Sequence, residues 1–476
     1  MFKFTVRFST ALAFAVGGFW LAIVPAVRGE VAQMRADNSA AARAVRIAVA
    51  GGKEFVSRNS NEAVSSKAAA TAPLTGRGTD PLSADEAAPL SADQAARLAV
   101  INQPLLGGQQ AAIAAAEQNA IAAAQLPDPR LRAGLQDYPI TGSDSFSFTR
   151  DNFTMLTVGV AQEFPREEKR RLRSQREQLS AQEKSLELDV MRRAIERDAA
   201  LAWLDVYYPQ QAARLVESLQ RESEAQIESL GIAYRAGKKS QADVLAEQVN
   251  LRLLKDRTAE FTKRDRQARA MLSRWIGAAA ERPLDDNLPN ASPPPSLAAL
   301  LQLVETHPHL NTLEKQIEQA RNEVAIARAA YKPDWSLELS YGARPAFSDF
   351  IGVQAGIDLP VFTKNRQDKN LSAKLALADQ ARYARDDAQR MMESDVKRYY
   401  AEWQSTSERL EQGFDAHILP RAKQRVDAAL AAYRAGRADL NAVLEARRAE
   451  FDLALQRLSL QLEQARAYRQ LRYFFE

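Results

Sequence analysis

Two hydrophobic patterns alternate along this chain of 476 residues. From Trp335 to Tyr341 and from Ile351 to Val361, apolar residues alternate with small or polar ones, which is the period of strands with one apolar face. Near the end of the chain, apolar residues instead recur at steps of three, four or seven: Leu440, Leu444, Phe451, Leu455, Leu458, Leu462 and Ala465. That spacing is typical of a coiled coil. The patterns therefore predict short strands together with long, paired helices.

The predicted elements follow one another in the same order twice. Each half has an Ala-rich helix (92–126 and 298–331), two strands (130–138 and 153–164, then 335–344 and 350–362) and an ascending helix (166–236 and 366–435). A turn at Gly237 or Gly436 leads into a returning helix that ends near Ile276 or Phe475. Each ascending helix would be about 100 Å long. Pro209 and Pro420 are expected to kink or break these helices.

The repeated order indicates an internal duplication. The five residues of 233–237, Ala-Tyr-Arg-Ala-Gly, recur at 432–436. Further matches in the same order are Gln103-Pro104 with His307-Pro308, Asp128-Pro129 with Lys332-Pro333, and Phe164-Pro165 with Leu359-Pro360. The chain thus divides into a first repeat (90–276), a Pro-rich linker (277–296) and a second repeat (297–476).

The N-terminus has the pattern of a secretory signal peptide. Lys3 and Arg7 precede an uncharged apolar run, and Gly29 offers a small residue for cleavage. Residues 1–29 are predicted to be this signal, although a run of about 20 apolar residues is also long enough for a membrane anchor. Residues 30–89, which are rich in Ala and Ser, are predicted to be a poorly ordered lead-in.

Composition excludes several classes of function. The chain has no cysteine, which removes disulfides, thiol nucleophiles and Cys-based metal sites. With 64 Lys and Arg against 60 Asp and Glu, the near-balanced charge does not favour a nucleic-acid partner. No catalytic or cofactor-binding motif is recognisable. His307-Pro-His309 lacks the spacing of helical metal ligands and an acidic partner, so neither an enzyme, a cofactor nor a metal site is predicted.

The alternating strands fit either a soluble sheet or a membrane barrel, because both alternate with the same period. Four strands are too few to close a membrane barrel, and open sheet edges do not occur in lipid. If these strands span a membrane, several chains must each contribute part of one wall.

A duplicated unit of helix, two strands and a long hairpin with a Tyr-x-x-Gly turn resembles the TolC family of outer-membrane efflux proteins. The resemblance covers about residues 90–475. Three segments are similar to the heavy-metal (cobalt–zinc–cadmium) branch of that family: Leu126-Pro-Asp-Pro-Arg-Leu131, Ser145-Phe-Ser-Phe-Thr-Arg150, and Gln162-Glu-Phe-Pro165 followed by Lys169-Arg-Arg171.

This resemblance implies a mainly α-helical fold with a transmembrane β-barrel contribution. A long coiled-coil α-helical barrel and about four barrel strands per protomer would form a homotrimer in the outer-membrane lipid of a Gram-negative bacterium, with the helical tunnel in the periplasm. The implied partners are a periplasmic adaptor (membrane fusion protein) and an inner-membrane resistance–nodulation–division pump. The chain itself would be the passive exit duct for divalent heavy-metal cations.

The resemblance also assigns residues to two sites. The hairpin tips would dock the adaptor through Tyr234, Arg235, Gly237, Lys238, Ser240, Tyr433, Arg434, Gly436, Arg437 and Leu440. The two glycines suit a reversal that needs positive φ. Acidic residues after the second tip would line a periplasmic aperture, where Ala442 departs from the family pattern, Glu445 keeps it, and Asp243 of the first repeat is a substitute. A ring of carboxylates attracts cations. The alternatives are that these residues only form turns or solvated helix faces.

Two other functions fit the sequence. The same duct could serve multidrug efflux or type I protein secretion. A protein of another class, a periplasmic coiled-coil adaptor, is disfavoured because adaptors usually carry one hairpin and flanking lipoyl-like β-domains, whereas two hairpins are predicted here.

Overall fold

The computed structural model describes residues 88–288 and 293–476. The predicted signal peptide and most of the predicted lead-in lie outside these residues, as does part of the linker. The described residues form two helical repeats that share one antiparallel sheet. Within 88–288 and 293–476, no helix combines the length and apolar composition needed to cross a membrane.

The first repeat consists of four helices and two strands. In chain order they are α1 (Ala92–Asn102), α2 (Pro104–Ala124), β1 (Arg130–Gln136), β2 (Met155–Phe164), α3 (Glu167–Arg235) and α4 (Gln241–Ile276). A short 3-10 turn, Gly277–Glu281, leads out of the repeat. The hairpin of α3 and α4 confirms the predicted pair of ascending and returning helices.

The second repeat has the same order with one more interruption. It contains α5 (Leu297–Glu305), α6 (Pro308–Ala329), β3 (Trp335–Ala343), β4 (Phe350–Ile357), α7 (Gln367–Glu408), a π-helical segment (Arg409–Ile418), α8 (Leu419–Arg434) and α9 (Leu440–Phe475). The predicted ascending helix is thus divided into α7, the π segment and α8.

Prolines explain where the predicted helices were wrong. The single Ala-rich helix predicted in each half is two helices, because Pro104 and Pro308 each begin a new helix after an extended residue. Pro420 lies just after the π segment, whose wider turns accommodate a residue without an N–H donor. Pro209 does not break its helix. Buried at the densest packing of α3, it is held within one continuous helix.

The four strands form one sheet in the order β1-β2-β3-β4, and all pairs are antiparallel. The pair β2–β3 joins the two repeats. β4 ends at Ile357, earlier than predicted, and Asp358 already donates its N–H to the carbonyl of Asp334 outside the ladder. Because β1 and β4 have no further neighbour among the described strands, both edges of the sheet are open.

The core is divided along the helices. The largest cluster surrounds Trp203, which is fully buried and donates its Nε1–H to the carbonyl of Leu90 at 2.8 Å. A second cluster joins α5, α7 and the end of α9 around Val396 and Leu471. Long, slender packing of this kind leaves much of every helix at the surface of one protomer.

Candidate channel wall and hairpin tips

The sheet has one continuous apolar face. Trp335, Leu337, Leu339 and Tyr341 of β3 are all exposed. Register carries this face across the neighbouring strands, since Leu339 lies opposite Val160 on one side and Val353 on the other. An apolar face without cover is costly in water, whereas it suits contact with lipid.

The opposite face of the sheet is polar and internally ion-paired. Arg132 of β1 and Glu338 of β3 lie 2.8 Å apart across β2, and Arg130 pairs with Glu163 at 3.3 Å. Most of the remaining positions of this face on β3 and β4 are glycine or serine. A Cβ added to Gly352 or Gly356 would lie 2.7 Å from the Oγ of Ser340 or Ser336. This face therefore has the composition of a wall that lines water.

Aromatic rings mark both ends of the apolar face. At the end next to the helices, Phe164 stacks on Trp335 with ring centroids 4.1 Å apart. At the loop end, Tyr341 is exposed on this face, and its hydroxyl donates to the carboxylate of Asp349. The distance along β3 from Trp335 to Tyr341 is about 20 Å at strand rise, close to the ~25 Å apolar band between aromatic girdles of outer-membrane barrels.

Two of the three segments that resemble the heavy-metal branch meet at the base of the sheet. The side-chain amide of Gln162 donates to the carbonyl of Pro127 at 2.7 Å, which ties two of the three segments together. Lys169 reaches the carboxylate of Asp334 at 2.8 Å, and the backbone N–H of Arg166 donates to the same carboxylate. These residues fasten the start of α3 to the start of β3.

The two tips, 234–240 and 433–440, have the same backbone geometry. Gly237 and Gly436 have φ angles of 70° and 68°. After each glycine, the next N–H (Lys238 or Arg437) donates over 2.9 Å to the carbonyl of the alanine that begins the repeated pentapeptide. This is the Schellman ending of a helix. The predicted turn geometry is thus confirmed at both tips.

Most of the predicted docking side chains are at the surface. Tyr234, Arg235, Lys238, Ser240, Arg434 and Arg437 are exposed, and Tyr433 is half-buried. Leu440 is different: it is only 8% exposed, so its side chain packs inside the hairpin and is not part of the surface that a partner would touch. The exposed residues make both tips cationic.

Lys239 joins the tips and was missed by the sequence analysis. Its Nζ lies 3.9 Å from the carboxylate of Asp439 and 5.8 Å from the ring centroid of Tyr433. No sequence signal pointed to it, because its partners belong to the other repeat.

The two acids proposed for the aperture have different surroundings. Asp243 forms a capping box with Ser240, whose N–H and hydroxyl donate to its carboxylate at 3.0 and 2.8 Å. Hydrogen bonding from the Ser240 side chain is the main reason that the pKa of Asp243 is below its usual value. Glu445 on α9 is exposed. Asp243 therefore has a structural role, while Glu445 is a surface carboxylate with no ion pair to any described residue.

A further acid near the tips was not recognised from sequence. Glu247 lies one turn after Asp243 and is 1% exposed. Its carboxylate accepts from the hydroxyl of Ser223 at 2.5 Å and from the amide of Asn250 at 3.2 Å. Burial between α3 and α4 excludes it from a ring of water-facing carboxylates.

His307 has a structural role. It is 2% exposed and caps α6, with Nδ1 accepting the N–H of His309 at 3.2 Å and Nε2 3.2 Å from the carbonyl oxygen of Tyr473. Burial lowers the pKa of His307 to about 4, so the ring is neutral. Among the described residues, no group of three or more His, Asp or Glu side chains is placed to hold a metal ion. His417 is exposed.

Residues 299–474 match the family model described as outer membrane efflux protein. This part of the chain is similar to the outer membrane efflux proteins. The match covers nearly all of the second repeat. It places the protein in the outer membrane and among transport ducts rather than enzymes.

Solved structures extend the likeness to both repeats. The outer membrane protein VceC from Vibrio cholerae aligns with 18% identity and a TM-score of 0.63, covering 79% of this chain and 95% of that one. CusC aligns with 15% identity and a TM-score of 0.65 (80% and 92%), and the Campylobacter jejuni CmeC outer membrane channel with 13% and 0.67 (81% and 85%). At these identities the likeness shows the fold, which is that of outer-membrane channels. No curated protein sequence matches the chain.

Proposed function

We propose that three copies of this chain form the passive exit duct of a tripartite efflux system in the outer membrane. The observation that carries the proposal is the four-stranded sheet, because it has an exposed apolar face, an ion-paired polar face and two open edges. Such edges need partners in lipid. Further copies supply them, and three copies give a wall of twelve strands, enough for a closed membrane barrel.

The internal duplication supports closure into a ring. Within one protomer, β2 pairs with β3 and α3 packs against α6, so each repeat already contacts the next one along the wall. β4 and α7 are the corresponding elements of the second repeat, and they lack this neighbour. Exposed apolar side chains mark the uncovered helices: Leu375, Leu377, Tyr383 and Met391 on α7, and Leu105 and Ile121 on α2. The next protomer's β1 and α2 fit these open surfaces.

Pairing at the seam between protomers follows from the internal register. In the β2–β3 pair, Gln162 lies opposite Leu337. Gln162 is two residues before Phe164, and Leu337 is four residues after Pro333. The corresponding positions in the other repeat are Ile357 and Ala133. We therefore expect Ile357 of one protomer to lie opposite Ala133 of the next.

The absence of cysteine makes this seam testable without removing native thiols. The double variant Ala133→Cys with Ile357→Cys is expected to form covalent dimers and trimers in outer-membrane preparations under mild oxidation. A matched control pairs Ala133→Cys with Ile351→Cys, which lies on the same face but about 20 Å further along β4. Equal cross-linking in both variants, or none in the first, would contradict the proposed ring.

The tips are proposed to dock a periplasmic adaptor, which in turn joins an inner-membrane resistance–nodulation–division pump. Their exposed arginines and lysines, with identical turns at Gly237 and Gly436, present a repeated cationic surface. Of the predicted docking residues, Leu440 supports the tip from inside. Glu445 remains the better candidate for a negative aperture, because the carboxylate of Asp243 is engaged in the capping box of α4.

We propose divalent heavy-metal cations as the cargo. The segments around Gln162, Pro127 and Lys169 support this assignment through their resemblance to the cobalt–zinc–cadmium branch, and they form the junction of sheet and helices. Survival of a deletion strain on cobalt, zinc or cadmium, with and without the restored gene, tests the cargo. Sensitivity to drugs or dyes with normal metal tolerance would favour the multidrug alternative.

A further inference from the structure

Five arginines surround a cavity of about 320 Å³ where the end of α9 meets α1 and the middle of α3. They are Arg97, Arg193, Arg197, Arg469 and Arg472. Three acids, Asp93, Glu196 and Glu476, also line it. The guanidinium groups outnumber the carboxylates, so the cavity has excess positive charge.

Arg469 is the least satisfied of these side chains. It is only 3% exposed, and its Nη1 lies 2.7 Å from the carboxylate of Asp93. Its Nε and Nη2 are buried without a hydrogen-bond partner among the described residues. Leaving buried N–H donors of a charged group without an acceptor is unfavourable. Two donors of Arg469, a residue that lines the cavity, therefore lack an acceptor.

The acids present do not supply that acceptor. Asp93 uses the same oxygen for Arg469 and for Arg472, which lies 2.5 Å away. Burial opposes its ionisation, but the hydrogen bonds and charges of the two arginines outweigh burial and lower the pKa of Asp93. Glu476 also pairs with Arg472, so both nearby carboxylates are engaged and neither bonds to Nε or Nη2 of Arg469.

The α3 side of the cavity adds more positive charge. Arg197 pairs with Asp198 at 2.8 Å, and its guanidinium lies 4.8 Å from the ring centroid of Tyr473. Arg193 forms no ion pair with any described acid, and it is half-buried at the cavity wall. A planar guanidinium presents a fork of donors that matches carboxylate and phosphate oxygens.

The duplication shows that these arginines are not a requirement of the fold. The returning helices α4 and α9 have 36 residues each, so their positions correspond one to one from end to end. Arg469 and Arg472 of α9 correspond to Ala270 and Ser273 of α4. The returning helix of the first repeat forms without arginine at these positions. The two arginines of the second repeat therefore have a role other than forming the helix.

We propose that this arginine-lined cavity binds a small oxyanion, with Arg193 and Arg469 as its principal donors. The chemical class is a phosphate or carboxylate group, since either would accept from the unpartnered guanidinium N–H groups. A volume of about 320 Å³ is at the lower end of ligand pockets in proteins. The proposal concerns the helical part of the chain and does not depend on which cargo the duct carries.

Thermal unfolding of the full chain in detergent tests the site, with inorganic phosphate and succinate as probes and chloride at equal ionic strength as the reference. We expect phosphate or succinate, or both, to raise the unfolding temperature beyond the chloride value. Calorimetric titration with the effective probe should show at least a tenfold weaker affinity for Arg193→Gln. A response to only one probe identifies the oxyanion class and supports the site.

The matched control is Arg192→Gln, the neighbouring arginine on α3, which is exposed and pairs with Asp189. It should keep the wild-type affinity. Arg469→Lys keeps the charge and its pairing with Asp93 but removes the fork, so it should fold and bind more weakly. If neither probe exceeds chloride, or if Arg192→Gln and Arg193→Gln lose affinity equally, the proposal is wrong.

Discussion

The two repeats fold to the same plan around different side chains. Their tips form the same type of turn, with φ of 70° at Gly237 and 68° at Gly436. Their ascending helices differ, because α3 runs unbroken through Pro209 while the second repeat inserts a π segment before Pro420. The difference teaches that a proline predicts local strain, whereas the surrounding packing decides whether the helix is interrupted.

The cores of the repeats also differ in how their tryptophans are held. Trp203 of the first repeat is fully buried and its indole N–H is bonded to Leu90. Trp403 of the second is half-buried, and its indole N–H is buried without a partner among the described residues. The first repeat is therefore expected to be the better packed of the two.

The largest expected effect tests the difference in packing between the two repeats. Trp203→Ala should destabilise the protein by about 3–5 kcal/mol, because it opens a cavity in the main cluster and leaves the Leu90 carbonyl with one donor fewer. Trp403→Ala should cost clearly less, since it removes a half-buried ring and an unsatisfied N–H. Denaturant unfolding of the two variants measures the difference. Similar losses would show that the repeats are equally packed.

A pH effect should distinguish the two proline-initiated helices. Gln103 precedes Pro104 without a side-chain cap, whereas His307 caps α6 as a neutral, buried base. Because the pKa of His307 is about 4 when folded and near 6.5 when unfolded, its contribution is present above pH 6.5 and is lost as the pH falls towards 4. The loss by pH 4.5 is about 2–3 kcal/mol.

Thermal unfolding at pH 7 and pH 4.5 checks this expectation. His307→Phe keeps the aromatic packing and cannot be protonated, so its unfolding temperature should fall less between the two pH values than that of the wild type. Gln103→Ala serves as the control and should keep the wild-type pH dependence. An identical fall in all three proteins would rule out His307 as the titrating group.

The tips offer a test of equivalence between the repeats. Gly237→Val and Gly436→Val each force a β-branched residue into positive φ, at a cost of about 1–2 kcal/mol. No other atom lies within 4 Å of the added Cβ at either glycine, so strain in the turn is the main effect. Efflux should fall in both variants while the trimer stays intact.

Metal tolerance of cells that carry each variant, together with native gel migration, provides the measurement. Gly413→Val is the matched control: this glycine lies in the π segment, where nothing lies within 4 Å of an added Cβ and φ is not positive. Normal tolerance in both tip variants would contradict their role in docking.

The smallest expected effect concerns the contact between the tips. Lys239→Ala removes an ion pair whose acidic partner, Asp439, is 89% exposed, so stability should change by less than about 0.5 kcal/mol. A double-mutant cycle with Asp439→Asn measures the coupling. A coupling above 1 kcal/mol would mean that the tips are joined more firmly than this surface geometry implies.

Much of the architecture could be predicted from the sequence because it follows from the spacing of hydrophobic residues and from local repeats. The alternation around Leu339 and Val353 predicted the sheet and its apolar face, and the pentapeptide at both tips predicted two equal hairpins. Element ends were predicted less well. Pro104 and Pro308 start new helices because their rings favour an extended conformation of the preceding residue. This rule is local, but the long Ala-rich pattern led to the prediction of a single helix in each half.

The site residues divide in the same way. Tip glycines were predictable, since positive φ at a reversal is a local requirement. Burial of Leu440 and Glu247, the bridge from Lys239 to Asp439 and the donors of Arg469 at its cavity were not predictable, because each depends on side chains from a distant helix.

The sequence by itself determined the duplication, the length of the helices and the two faces of the strands, since hydrophobic spacing acts within a few residues of chain. Only the tertiary structure decided that Pro209 stays inside a helix, that both sheet edges are open, and that five arginines meet at one cavity. These outcomes depend on which distant surfaces pack together, and packing energy outweighs local preference wherever the two compete.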